Sequence, residues 1–361
     1  MRKFRRMFRR LKDPRASNNR HDLVEILFIA LAATLAGATA CTDFEQFGLA
    51  REDVLRKLLE LEHGIPSHDT FSTVLRALDP KALEAVLRKF SKAFGSQGVV
   101  SLDGKALRGA FARGKRSVPH HLVNLWAAGT RMALAQRTAP NRNEIAGALE
   151  LLALLDLDGA IVTADALYCR PDIAQAIRCR KGHYALALKK NRGNLFKAAE
   201  ALLASAGKAS RATQRPVRAH GRIERRQAVV VPAKALAQQH RFPDLVAIGC
   251  IESWRSTGAA MPKKPKIRFF LLSRKLSARQ LLEVGRAHWS IENNLHWTLD
   301  VLFAEDACRS RKDHAPENLA VLRKLAINIL QTTPGPQRMR HKMLHARWND
   351  TFLLNALAHM R

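Results

Sequence analysis

The chain of 361 residues carries 61 Lys and Arg against 31 Asp and Glu, a formal net charge of +30, which points to a polyanionic partner, either nucleic acid or an anionic lipid surface. With 47% hydrophobic and 25% charged residues it is neither a disordered basic tail nor a coiled coil, and its length allows about two domains with buried cores. Its five cysteines, Cys41, Cys169, Cys179, Cys250 and Cys308, are scattered and never spaced Cys-x-x-Cys. That argues against a disulfide framework or a cysteine-ligated zinc site and fits a reducing cytoplasm.

Residues 1–20 hold nine basic residues against Asp13 alone and read as a basic N-terminal arm. The uncharged run from Ile26 to Ala40 after it imitates a signal peptide. Glu25 interrupts the apolar stretch, however, and the run is shorter than the ~20 residues a membrane span needs. It reads as a buried Ala/Leu-rich helix over Leu23–Ala40, and no transmembrane segment is expected elsewhere. Val54, Leu55, Leu58, Leu59 and Leu61 form a helical stripe. Asp79-Pro80 is a cap followed by proline at the first helical position, and Leu83, Val86, Leu87, Phe90 and Phe94 then recur at spacings of three and four. Residues 41–90 hold seven basic and nine acidic residues, so this helical module, taken as 21–95 and ended by Gly95-Ser96-Gln97-Gly98, is nearly neutral.

From Val99 the texture changes to short strands. Val99–Asp103 is an apolar run that ends on a carboxylate, His121–Trp126 a second run, and Met132–Ala135 a third. A helix from about Asn143 to Leu155 follows, then Gly159–Asp165, another strand run that ends on a carboxylate. Pro171 opens a helix to about Arg180, and His183–Lys189 is a further strand. Strands first grouped, then alternating with helices, indicate a mixed α/β sheet, whose ligands sit at the carboxyl ends of strands. Asp103 and Asp165 both fall there. Residues 201–280 carry seventeen basic residues against Glu224, Asp244 and Glu252. Three apolar runs within about 205–275 read as a small β-rich insertion. Helix resumes at Ala278 and continues to about Gln331, and residues 335–361 form a basic C-terminal segment.

On that late helix His288, Glu292, His296 and Asp300 recur every four residues and share a face, with Trp289, Asn293 and Trp297 alongside and Ile291, Leu295, Leu299 and Leu302 on the core side. A carboxylate among imidazoles, indoles and an amide is costly to bury without a purpose. The run HWSIENNLHWTLDVLFAED followed by CRSR, together with SLDGKALRG and IVTADALYC, resembles the DDE transposases of bacterial insertion sequences, in particular the H-repeat-associated subgroup. HDLVEILFIALAATLAG and GIPSHDTFSTVLRAL resemble the helical domain that precedes the catalytic domain in that subgroup.

The resemblance implies an RNase H-like catalytic domain over 96–334, a mixed sheet flanked by helices, with an all-α N-terminal domain and the β-rich insertion before the last catalytic helix. It implies a Mg²⁺ or Mn²⁺ site of two ions on Asp103, Asp165 and Glu292. Phosphodiester transfer by two metals about 3.5–4 Å apart requires such carboxylates. The implied partners are double-stranded DNA, as the element's terminal inverted repeats and the target, and further copies of the chain in the DNA complex; the implied place is the nucleoid. Many insertion-sequence relatives carry Tyr seven and Arg four residues before the catalytic Glu and Lys seven after it. Gly285, His288 and Leu299 stand there instead, and His288 and His296 are expected to contact phosphate or to position Glu292.

Lys105, Arg108, Lys189, Lys190, Arg309 and Arg311 are placed either to meet phosphate or to stand as solvated surface. Trp289 and Trp297 are placed either to stack on an unpaired base or to pack as the frame of the active-site helix, and Asn293 belongs to the same set. A zinc hydrolase on His288, Glu292 and His296 is disfavoured, because metalloprotease helices space two histidines four apart and these are eight apart. The other alternative is a transposase-derived DNA-binding protein without catalytic activity; the three intact acidic positions give no sign of it.

Overall fold

The computed structural model describes residues 2–358 except 18, 96, 111–119, 206–210, 220 and 258–261. The chain begins with six helices: α1 (Arg2–Phe8), α2 (Leu23–Leu35), α3 (Cys41–Ala50), α4 (Glu52–Leu55), α5 (His68–Ala77) and α6 (Pro80–Lys92). Every residue of α2 from Glu25 to Leu35 is buried, as an all-round apolar helix requires. It stops at Leu35 rather than Ala40. Gly37, at φ +94°, closes it: the Gly37 N–H donates to the Thr34 carbonyl and the Ala38 N–H to the Ala33 carbonyl, a Schellman termination. Asp79 caps α6 ahead of Pro80, and Leu83, Val86, Leu87 and Phe90 are buried, as their spacing predicts.

Two expectations for this region are corrected. The stripe after Val54 is helical for only one turn; Leu59 and Leu61 are buried, but the Glu25 carboxylate accepts the N–H groups of Glu60 and Leu61 at 2.8 and 3.3 Å, which supports non-helical chain there. The leading segment is not a free arm. Phe4, Met7 and Phe8 are buried, with Phe4 and Phe8 stacked 4.2 Å apart, so α1 turns an apolar face to the core under its charged one.

The strands β1 (Val99–Ala106), β2 (His121–Ala127), β3 (Met132–Thr138), β4 (Ile161–Ala164), β5 (His183–Leu188), β6 (Arg211–Ala219), β7 (Arg222–Pro232), β8 (Ala247–Ser256) and β9 (Lys266–Leu272) form a nine-stranded sheet in the order β3-β2-β1-β4-β5-β9-β8-β7-β6. The first half is antiparallel across β3-β2-β1 and parallel across β1-β4-β5, the RNase H-like arrangement that the resemblance implied. The helices α7 (Glu144–Ala153), α8 (Pro171–Cys179), α9 (Gly193–Ala204) and α10 (Lys234–Gln239) follow in the chain, and α7, α8 and α9 share one apolar core with the sheet. The inserted strands are not a separate small sheet: β9 pairs antiparallel with β5 and continues it. Their two faces explain why. Val229, Ile248, Phe269 and Leu271 join the core of α7, α8 and α9, while Ala228, Ile251, Phe270 and Leu272 face the next helix, α11 (Ala278–His288).

Beyond α11 the chain runs through a π-helical stretch over Ile291–His296, α12 (Trp297–Val301), α13 (Ala315–Thr332), α14 (Met339–Trp348) and α15 (Asp350–Ala358). Residues 315–330 of α13 are all buried, in one core with the N-terminal helices and the π-helical stretch. The Asn328 amide covers the edge strand β3: it accepts from the Ala133 N–H at 2.9 Å and donates to the Ala133 carbonyl at 2.8 Å.

Candidate active site

Asp103 lies in β1 opposite Asn124 of β2, and the Gly104 N–H donates to its Oδ1 at 3.0 Å. Leu102 and Ala164 are register partners in the parallel β1-β4 pair, so Asp103 and Asp165 stand at the same level on adjacent strands. Asp165 lies just past the carboxyl end of β4, whereas Asp103, expected at a strand end, lies within β1, which runs on to Ala106 against β2. Asp165 also caps the short turn that follows, accepting from the Leu167 N–H at 2.9 Å.

The helix face predicted from the four-residue spacing lies against these strands. His288 Nδ1 is 3.0 Å from Thr163 Oγ1 in β4, His296 Nδ1 is 3.6 Å from Asp103 Oδ2, and Lys105 Nζ is 2.7 Å from Asp300 Oδ1. Ile291, Leu295 and Leu299 are buried on the opposite side. Between α11 and the π stretch, Ser290 is held by the indole N–H of the buried Trp126 at 2.9 Å. The regular helix expected here is instead π-helical over Ile291–His296, a geometry frequent at functional sites. Glu292 is exposed within it.

Electrostatics link the three acids. Burial pushes the Asp103 carboxyl up to about 7, with Asp165 adding to the rise, the Gly104 N–H opposing it, and Glu292 and Glu144 adding further. Glu292 is also raised, by partial desolvation of its carboxyl although the residue as a whole is exposed, with the charge of Arg268 opposing and Asp165 adding. His288 and His296 are each pushed down to about 4, chiefly by burial, so both are neutral near pH 7; His288 bonds Thr163, whereas His296 Nε2 is buried with no hydrogen-bond partner among the described residues. The expected roles were contact with phosphate or positioning of Glu292; their nearest partners are Thr163 and Asp103, contacts that suit positioning.

Among the described residues no group of three His, Cys, Asp or Glu side chains is arranged to hold a metal ion. The donor chemistry of Asp103, Asp165 and Glu292 nevertheless suits a hard divalent ion: all donors are oxygens, and their crowding raises the proton affinity of Asp103, a repulsion that a dication relieves.

The remaining sequence candidates divide. Lys105 is not offered to phosphate: it is buried and its ammonium lies against Asp300, Asp306 and Glu305 at 2.7, 2.9 and 3.3 Å. Glu305 is wholly buried in that cluster, whereas Glu292 is not. Arg108 is exposed, 3.7 Å from Asp306. Lys189 and Lys190 are exposed in a turn lashed to the one after Asp165, where Asn191 donates to the Ala166 carbonyl at 2.9 Å and Arg192 to the Cys169 carbonyl at 3.0 Å. Arg309 is exposed, and Arg311, also exposed, donates to the Gly109 carbonyl at 3.0 Å. Asn293 is separated from the acids; it lines a cavity of about 740 Å³ with Val99 and Ile161, at the opposite ends of β1 and β4. Trp297 is exposed, while one face of Trp289 is covered by the Arg268 guanidinium, 4.3 Å from the ring centroid.

Sequence reasoning missed two neighbours of the acids. Glu144, bound to the Tyr168 hydroxyl at 2.7 Å and to His121 at 3.1 Å, abuts Gly104. Arg268, on β9, stacks over Trp289, and its charge acts on Glu292 from beyond ion-pair distance; its alternation with Phe270 and Leu272 was a readable signal for the α11 face, but the pairing of β9 with β5 was not.

Comparison with known proteins finds relatives over most of the chain. The family model described as Transposase DDE domain matches residues 94–329, and one described as DDE_Tnp_1-associated matches residues 5–91. The chain is 32% identical over 352 residues to the Escherichia coli K12 protein named "H repeat-associated putative transposase YhhI", covering 94% of this chain and 93% of that one. It is 31% identical over 350 residues to "Putative protein YbfL" of the same strain, at 94% and 93% coverage. It is also similar, at TM-score 0.45 and 12% identity, to the cryo-EM structure of a piggyBac transposase synaptic complex with hairpin DNA, covering 98% of this chain and 77% of that one. Proteins of the DDE transposase family generally use divalent metal ions.

Proposed function

Because the chain belongs to the DDE transposase family, we propose that it is the DNA transposase of an insertion sequence, cleaving phosphodiester bonds at the element's ends and joining the freed 3′ hydroxyl to target DNA. The observation that carries the reading is the placement of Asp103 in β1 and Asp165 just after β4 on adjacent parallel strands, with Glu292 on the helical run packed against them and both Asp165 and Glu292 acting on the Asp103 carboxyl. Asp103, Asp165 and Glu292 would be the residues that hold the ions, with Asp103, on which both other acids act, as the shared ligand. Two Mg²⁺ or Mn²⁺ ions bound there would supply an activated attacking oxygen and a stabilised leaving oxygen.

The chain's own groups do the rest. His296 faces Asp103 from the helix side at 3.6 Å, and His288, bound to Thr163, fixes the helix against β4. Arg108, Lys189, Lys190, Arg309 and Arg311 hold the DNA backbone near the acids, offsetting the repulsion between a carboxylate site and phosphate. No protein nucleophile is needed, since water attacks first and the 3′ hydroxyl second. The DNA complex contains more than one copy of the chain, and the place of action is the nucleoid in the cytoplasm. In keeping with this, no helix among the described residues is long and apolar enough to cross a membrane.

A two-plasmid assay tests the reading. The donor carries the gene with its flanking DNA, the target carries none, and purified protein is added with Mg²⁺. Joined product flanked by a short target duplication is expected. A protein that binds both plasmids and yields neither nicked donor nor joined product would leave the non-catalytic DNA-binding alternative.

A further inference from the structure

The inserted strands present an arginine cluster on the face that leads to Glu292. In β8 and β9, Ile251 pairs with Arg268, and Ile251, Phe270 and Leu272 all face α11, so the two-residue alternation puts Arg268 on that face. Its guanidinium lies over Trp289, three residues before Glu292, and its charge acts on the Glu292 carboxyl. Two further arginines lie on the same face by the same alternation: Arg226, two residues from Ala228, and Arg255, four from Ile251. Glu224 joins them, at 2.8 Å from each guanidinium. No carboxylate of the described residues lies within ion-pair distance of Arg268. Glu224 thus pairs with two of the three guanidiniums, and Arg268 has only the more distant charges of Glu292 and Glu224 to offset it.

Such a cluster costs free energy through like-charge repulsion unless a polyanion lies across it. Stacking on the indole fixes the Arg268 fork, which lowers the entropy lost when it grips a phosphate with two parallel N–H donors. We propose that Arg268, Arg226 and Arg255 form a phosphodiester-binding track on the inserted strands that guides a DNA strand to the acids, with Arg268 holding the phosphate next to the one that reacts. This rests on the reading of the chain as a DNA transposase. It also gives the insertion a task, since it supplies beside Glu292 a guanidinium that the helix itself, with His288 at the position of the expected arginine, does not.

The test is binding of a short DNA duplex of arbitrary sequence to the full chain across a salt series. Each lost phosphate contact lowers the slope of log affinity against log salt by about 0.9. Arg268→Gln is expected to show that reduction with an unaltered thermal melt, and Arg268→Lys, which keeps the charge, to recover the wild-type slope. Should Arg268→Gln not fold, the Arg226→Gln, Arg255→Gln double variant carries the test with a reduction of about 1.8. A wild-type protein whose duplex affinity does not depend on salt would overturn the transposase reading itself. A wild type that binds and cleaves DNA, beside a folded variant with an unchanged slope, would overturn the track alone.

Discussion

The Lys105 ammonium lies 2.7 Å from Oδ1 of Asp300, joining the strand that carries Asp103 to the helical run that carries Glu292. Asp306 and Glu305 complete the cluster at 2.9 and 3.3 Å, so one buried cation fixes the distance between two of the three acids. Lys105→Ala leaves three carboxylates uncompensated and is expected to cost about 3–5 kcal/mol, read as a fall in the urea midpoint at constant slope, with loss of metal-dependent cleavage. A change below about 0.5 kcal/mol, as at an ordinary surface position, would show that the cluster does not hold the site together.

The turn just beyond β1 is packed equally closely. A Cβ on Gly109 would stand 2.4 Å from the Cys308 carbonyl oxygen and 2.7 Å from that of Asp306, both main-chain atoms, whereas one on Gly104 would meet the side-chain carboxylate of Glu144. Backbone yields less readily than a side-chain end. Gly109→Ala is therefore expected to destabilise by about 1–3 kcal/mol and by more than Gly104→Ala, and the reverse order in thermal melts would contradict the packing described.

The two aspartates were legible because each ends a short apolar run, and the pairing of Leu102 with Ala164 then brings them together. The helix face of His288, Glu292, His296 and Asp300 was legible from spacing even though part of it is π-helical, since each side chain finds a partner on β1, β4 or in solvent. What was not legible depends on contacts distant in sequence. Lys105 read as either a phosphate contact or solvated surface, and is neither, because Asp300, Glu305 and Asp306 close around it; Arg268 read as one more basic residue of an insertion until β9 joined β5. Phe4, Met7 and Phe8 carried a helical spacing, but nine basic residues in the first twenty concealed a buried helix.

Lys324, in the middle of α13, is fully buried, and its ammonium has no hydrogen-bond partner among the described residues. Burial lowers it to about 8 from an ordinary 10.5, with Glu305 opposing and Lys105 and Arg323 adding to the fall. The unfolded chain therefore holds this proton more tightly than the folded one. The stability linked to it is present above about 10.5 and is lost as pH falls through about 8. Replacing Lys324 by Met removes the buried charge, so the variant is expected to exceed wild type by ~3 kcal/mol at pH 7, with the gap closing between about pH 8 and 10.5. Urea unfolding across that range measures it, and a gap that does not change with pH would contradict the assignment.

The central claim is that Asp103, Asp165 and Glu292 together perform metal-dependent phosphodiester cleavage. Its most direct test is nicking of a supercoiled plasmid carrying the gene and its flanking DNA by wild type and by Asp103→Asn, Asp165→Asn and Glu292→Gln. The account predicts cleavage by wild type in Mg²⁺ or Mn²⁺ and none in chelator, with each variant still binding the plasmid but cleaving about 100-fold or more slowly. Wild-type cleavage that survives the chelator, or any of the three variants cleaving at the wild-type rate, would contradict it.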